Sequence, residues 1–250
     1  MKRLLTLTVA VVVLGACGKD RNPSGQPASS STQPPAVTAT TSAPTSTAAI
    51  TSTTVACALA PIAASANSVT SKPGDFDGNG AADTLRAYQL GAEWRLRVEL
   101  AGGGGADIAV PGVAPVSALK ALGGYNIDAN LRDEAFAVVG SGASTAIIGL
   151  WTFANCQLTR VTVGSQPAEF PVGATVQNQS GLSCVQGTAI QALKAQLAPS
   201  GTMFNVQRMV YDLVGNTLVL GNTPPLAALA PGDPNLAPYS RFACGSLTLN

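Results

Sequence analysis

The sequence predicts an all-β domain, an array of about three to four hairpin or blade-like units behind a short leader and a disordered tether. Three observations predict it. Residues 92–100 alternate strictly, with Trp94, Leu96, Val98 and Leu100 set against Glu93, Arg95, Arg97 and Glu99, the period-two pattern of a half-buried strand. Short apolar runs separated by glycine and asparagine turns then continue to residue 220. Finally, a nine-residue loop rich in Asp, Asn and Gly at 75–83 recurs at 126–134, an offset of 51 residues. A supersecondary unit that recurs at about 50 residues implies units stacked on one another, because none can bury its apolar face alone.

The chain opens with Lys2 and Arg3, an apolar run from Leu4 to Leu14, and Leu14-Gly15-Ala16-Cys17. Basic start, short apolar centre and small residues before the cut make residues 1–16 a signal peptide. The run falls short of the about 20 residues that span a bilayer. Its last four residues resemble the lipobox of bacterial lipoproteins, which implies that Cys17 is lipidated and becomes the new N-terminus. Two or more acyl chains anchor durably where about one is marginal. The expectation is an exported chain, lipid-anchored to the outer face of the bacterial cytoplasmic membrane. Residues 17–55 form the tether. Over positions 22–55, 21 of 34 residues are Ser, Thr or Pro, too polar to offset the entropy of ordering. A flexible coil of that length reaches about 30 Å.

Residues 56–250 form the β domain and carry 10 basic and 12 acidic side chains, a net of −2, so no basic surface for nucleic acid is implied. The chain contains no histidine. That removes the commonest general base, the usual zinc ligand and the Ser-His and Cys-His dyads.

Within the domain, residues 57–66 are read as one or two helical turns weakened by Pro61. Strands follow at 84–90 and 92–100, and Gly102–Gly105 turns into Ile108–Val110. No Lys-Ser/Thr follows these glycines, so they are a hairpin turn and not a phosphate cradle. After the second loop come Ala135–Val139, Ala146–Phe153, a turn at Ala154-Asn155, and Gln157–Val163. A third unit is placed near Leu182, with Cys184–Thr188 in the loop position and Ala189–Leu197 as its strand. Met203–Leu213 and Thr217–Leu220 read as a hairpin about Gly215-Asn216, and the Pro- and Ala-rich stretch 223–238 as an irregular crossing. Trp94 falls on the apolar side of its strand, whereas Trp151 has apolar neighbours in both registers.

The first loop, Asp75-Phe76-Asp77-Gly78-Asn79-Gly80-Ala81-Ala82-Asp83, puts oxygen-bearing side chains at positions 1, 3, 5 and 9. Calcium takes about six to eight oxygens, and this spacing supplies four side chains plus a carbonyl at Ala81. An EF-hand is excluded, because its position 12 is Arg86 and a strand follows. Together with Thr84-Leu85-Arg86-Ala87-Tyr88, the loop resembles the FG-GAP/VCBS repeat, the calcium-loop hairpin of integrin-type β-propellers and of many secreted bacterial proteins. The resemblance implies a propeller-like or partial-propeller array, with structural calcium held by Asp75, Asp77, Asn79, Asp83 and the carbonyl of Ala81. It makes Asn126, Asp128, Asn130, Arg132 and Glu134 a candidate second metal loop. That loop departs from the pattern: Ala129 and Leu131 replace glycines, and Asn126 replaces an Asp. Extracellular calcium modules bind at about 0.1 to 1 mM, so external calcium would fill such a site.

Besides Cys17, four cysteines remain, and they allow three pairings. The expectation chosen is Cys156 with Cys184, joining the second unit to the third, and Cys57 with Cys244, joining the domain's start to its end. The functional expectation is a membrane-anchored, non-catalytic binding or structural module of the envelope, with an envelope polysaccharide or protein as its ligand. The alternative is a carbohydrate- or peptide-active enzyme using Asp133 and Glu134 as acid and base. Adjacent strand residues point to opposite faces, which places that pair poorly for one substrate.

Overall fold

A computed structural model describes residues 57–113 and 117–249. The expected signal peptide, lipidated Cys17 and tether lie outside the described residues. The domain is all-β, and its strands fall into three antiparallel four-stranded meanders. The first comprises β1 (Asn67–Gly74), β2 (Asp83–Leu90), β3 (Glu93–Glu99) and β4 (Gly105–Ala109). The second comprises β5 (Lys120–Tyr125), β6 (Glu134–Ser141), β7 (Thr145–Ala154) and β8 (Gln157–Arg160). Short strands β9 (Thr162–Val163), β10 (Gln166–Pro167) and β11 (Glu169–Ala174) lead to the third. It comprises β12 (Asn178–Val185), β13 (Ala189–Leu197), β14 (Phe204–Val214) and β15 (Thr217–Leu220). In each meander a loop separates the first strand from the second, and the two Asp/Asn loops occupy that place in the first and second. The internal repeat read from the sequence is therefore a repeat of structure.

The first meander is a sheet of its own. The other two are joined in one sheet of order β5-β6-β7-β11-β12-β13-β14-β15-β9-β10, with β8 also on β7 and β16 (Phe242–Ala243) on β12. Among the described residues, neither sheet closes on itself.

Burial explains the sequence pattern strand by strand. In β6, Ala135, Ala137 and Val139 pack with Leu85, Leu96 and Val98 of the first meander, while Phe136 and Val138 pack with Leu182 and Ile190 of the third. A strand buried on both faces reads as a continuous apolar run, which is what 135–139 shows. The same holds for β7, where Leu150 joins one cluster and Trp151 the other. That is why neither register of Trp151 looked polar.

The outer meanders end the array in two ways. On β3, Leu96 and Val98 face the core, and the other face carries a ladder of charges: Arg86 to Glu99, Arg97 to Glu99 and Asp107, and Arg95 to Asp107 and Glu93. The strict alternation predicts that face to be solvated, but Arg97 is only 5% exposed, because Ala60 of the entering segment accepts from its guanidinium at 2.7 Å. At the far end, Leu193, Ala195, Phe204 and Val206 would leave an apolar face open. Leu226, Leu229, Leu236 and Tyr239 cover it, the last two from a 3-10 helix at Pro234–Ser240 capped by Asp233. Terminal units of a stacked array need such capping to stay soluble.

Two expectations are corrected. Residues 57–66 form no helix: Cys57 runs beside the glycine turn, its carbonyl accepting from Gly105 N–H at 3.1 Å. The disulfides are Cys57–Cys156 and Cys184–Cys244. Cys57 is tied to Gly105 at the start of β4, and β4 packs against β8, just ahead of which lies Cys156. The parallel register Ser183↔Ala243 then sets Cys244 beside Cys184. The chosen pairing took Cys184 for a partner of the second unit, whereas β16 returns directly onto β12.

Candidate functional site

Loop 1, residues 75–83, is built from its own side chains outward. Asp75 gathers the loop: its Oδ1 accepts from the N–H of Gly78 and Asn79, and its Oδ2 from Gly80. Asp77 accepts from Asn79 through both backbone and side-chain amides, and Asn79 Oδ1 accepts from Ala81 N–H. These are Asx turns, in which a short polar side chain substitutes for a backbone acceptor. They require left-handed backbone at positions 4 and 6, supplied by Gly78 (φ 77°) and Gly80 (φ 81°). At position 9 Asp83 is buried, its Oδ2 accepting from Phe76 N–H and its Oδ1 from Ala101 N–H, both at 2.8 Å. Phe76 itself is fully buried and pins the loop to the core.

One oxygen from each of Asp75, Asp77 and Asp83 lies within 4.8 Å of the others. Among the described residues no other set of three acidic, His or Cys side chains comes together in this way. The donor set is all oxygen, charged and compact. It fits a hard cation such as calcium and not a thiolate- or imidazole-seeking metal. Asn79 sits in the same loop, its side-chain oxygen turned to Ala81 N–H.

Loop 2, residues 126–134, reproduces the Asx turns of this skeleton, with one bond to the residue at position 1 where loop 1 has three. Asn126 Oδ1 accepts from Ala129 N–H, Asp128 from the backbone and side-chain amides of Asn130, and Asn130 Oδ1 from Arg132 N–H. Glu134 accepts from Ile127 N–H at 2.9 Å, as Asp83 does from Phe76. Ala129 (φ 62°) and Leu131 (φ 69°) adopt the left-handed conformation of the glycines they replace. The chemistry differs, however. Burial pushes the Glu134 carboxyl up to about 8 against the lowering effect of the Ile127 bond, and nearby Asp128 adds to the rise. Loop 2 thus has the fold of loop 1 without its cluster of carboxylates.

Asp133 and Glu134 take different hydrogen-bond partners. Glu134 is turned inward onto Ile127, whereas Asp133 Oδ2 accepts from Asp75 N–H at 2.8 Å. Burial raises the Asp133 carboxyl above its usual range, and the neighbouring Asp75 charge contributes. Sequence reasoning did not find this link between the two loops, since no spacing rule connects residues 58 apart. Trp151 is buried with Arg160 over its ring at 5.1 Å, whereas Trp94 is half-buried against the core and lines an open cleft with Leu90, Val110 and Pro111. Beside loop 1 lies an open cleft of about 450 Å³ lined by Lys72, Asp75, Leu122, Asp133, Ser246 and Leu247. Comparison with family models, with curated proteins and with solved structures finds no match to this chain.

Proposed function

We propose that this chain is an exported lipoprotein, anchored through Cys17 and held off the membrane by its Ser/Thr/Pro-rich tether. Its β domain is a calcium-stabilised, non-catalytic binding or structural module of the envelope. The observation that carries this reading is loop 1, where three carboxylates meet on an Asx-turn skeleton between two strands. Calcium there would neutralise them and fix the end of the first meander. We further read the three meanders as an open, propeller-like array of the kind the FG-GAP/VCBS resemblance implies. Double-sided burial of β6 and β7 supports this, since a middle blade is covered on both faces. Two disulfides support export, since such bonds persist in oxidising compartments. The absence of histidine and the divergence of Asp133 from Glu134 support a non-catalytic role. The cleft beside loop 1 is the place for an envelope polymer or protein segment to meet the domain.

Calorimetric titration of the mature chain with calcium tests the site. One site with a dissociation constant of about 0.1 to 1 mM is expected, lost in Asp77→Ala; a silent wild type would refute the reading. Fractionation of cells expressing the chain and its Cys17→Ser variant tests the anchor. Wild type is expected in the membrane fraction and the variant in the soluble one.

A further inference from the structure

The two loops meet at a junction that tolerates no side chain. The backbones at the end of β1 and in β5 approach so closely that a Cβ on Gly74 would lie 2.8 Å from Gly124 Cα. One on Gly124 would lie 2.7 Å from both Gly74 Cα and Asp133 Oδ2. Across this contact Asp133 grips Asp75 twice. Its N–H donates to the Asp75 carbonyl, and its Oδ2 accepts from the Asp75 N–H, each at 2.8 Å. Both backbone polar groups of Asp75 are therefore held by one residue of the next meander. Asp75 is the residue whose carboxylate gathers three N–H groups of loop 1 and contributes to the carboxylate cluster. With both adjoining peptide planes fixed, the direction of its Cα–Cβ bond is fixed, and the three N–H groups of loop 1 then hold the carboxylate.

At the next junction Gly187 N–H donates to the Asn126 carbonyl at 3.1 Å, repeating the first half of the grip. Glycine has no carboxylate to return the second half. The double grip is thus a property of loop 1, the loop that also holds the carboxylate cluster.

We propose that Asp133, supplied by the second meander, is a positioning residue for the cation of loop 1, so that the first meander cannot assemble its site alone. This rests on the reading of loop 1 as a calcium site. Partners that orient a metal ligand without touching the metal are worth about 10- to 100-fold in affinity.

The test uses the oxidised full chain, calcium as the titrant, and hydrogen exchange of the Asp75 amide in EDTA. Asp133→Ala is expected to weaken calcium about 10- to 100-fold and to speed Asp75 exchange. Asp133→Asn, whose amide oxygen still accepts, should stay within about threefold of wild type in affinity. Asp128→Ala removes the same charge away from the junction and should also stay close to wild type. Asp133→Glu keeps the charge but carries the carboxylate beyond the Asp75 N–H, so it should weaken binding, and it decides the matter if the alanine variant fails to fold. Wild-type affinity in Asp133→Ala or Asp133→Glu would overturn the proposal, as would an asparagine variant that loses as much as alanine with Asp75 exchange unchanged. A wild type that binds no calcium would instead overturn the site itself, and the positioning role with it.

Discussion

Loops 1 and 2 share their Asx turns but not one chemistry. Asx residues at positions 1, 3 and 5, an inward apolar residue at position 2 and an acid at position 9 are common to both. Those five features are enough to set the turn. What loop 2 lacks is the set of three carboxylates and both left-handed glycines. The comparison teaches that the fold of such a loop and its capacity for a cation are specified by different residues, so one can be kept while the other is lost.

Position 9 is where the comparison breaks most sharply. Asp83 satisfies two backbone N–H groups, those of Phe76 and Ala101, whereas Glu134 satisfies that of Ile127. Leaving a buried donor without its acceptor costs about 1 to 3 kcal/mol. Asp83→Ala should therefore lower stability in EDTA by about 3 kcal/mol or more, measured by urea unfolding. Glu134→Gln retains an acceptor for Ile127 and should cost under about 1 kcal/mol at pH 7.

Glu134 also carries a pH dependence. The Glu134 carboxyl is raised in the fold from its ordinary 4.5 to about 8, so the folded protein binds this proton more tightly than the unfolded chain. Its contribution to stability is fully present below about 4.5 and is lost as pH rises toward 8, a change of a few kcal/mol. In metal-free buffer, wild type should lose stability across that window relative to Glu134→Gln. Parallel profiles would show that Glu134 ionises freely in the fold.

Glycine content sharpens the comparison on a smaller scale. A non-glycine residue in left-handed backbone costs about 1 to 2 kcal/mol, partly offset by the greater freedom of glycine in the unfolded chain. Leu131 is also largely exposed and buries little in the fold. Leu131→Gly should stabilise by about 0.5 to 1 kcal/mol. Gly80→Ala, where a Cβ meets no atom within 4 Å, should destabilise by about 1 kcal/mol through its backbone alone. Thermal unfolding of the two variants checks both signs.

Much of this was legible in the residues. Alternation located β3, the apolar run at 135–139 marked a strand, and the 51-residue offset identified the repeated loops. What escaped depended on non-local return of the chain. The partner of Cys184 is set by β16 lying parallel on β12, and nothing near either cysteine announces that pairing. Burial of Arg97 needs Ala60 to cross its strand, and the capped face of the third meander needs Leu226, Leu229 and Leu236 from a stretch that reads as irregular. Asp133 looked like half of an acidic pair, because its grip on Asp75 exists only when two meanders meet.

The most direct measurement is thermal unfolding of the oxidised chain in EDTA and in millimolar calcium, with Asp77→Ala and Asp128→Ala alongside. Linkage at about ten times the dissociation constant is worth about 1.4 kcal/mol, a rise of a few degrees for a domain of this size. The account predicts that rise in wild type and in Asp128→Ala, and its loss in Asp77→Ala. An unshifted wild type, or a shift that survives Asp77→Ala and disappears in Asp128→Ala, would contradict the assignment of the cation to loop 1.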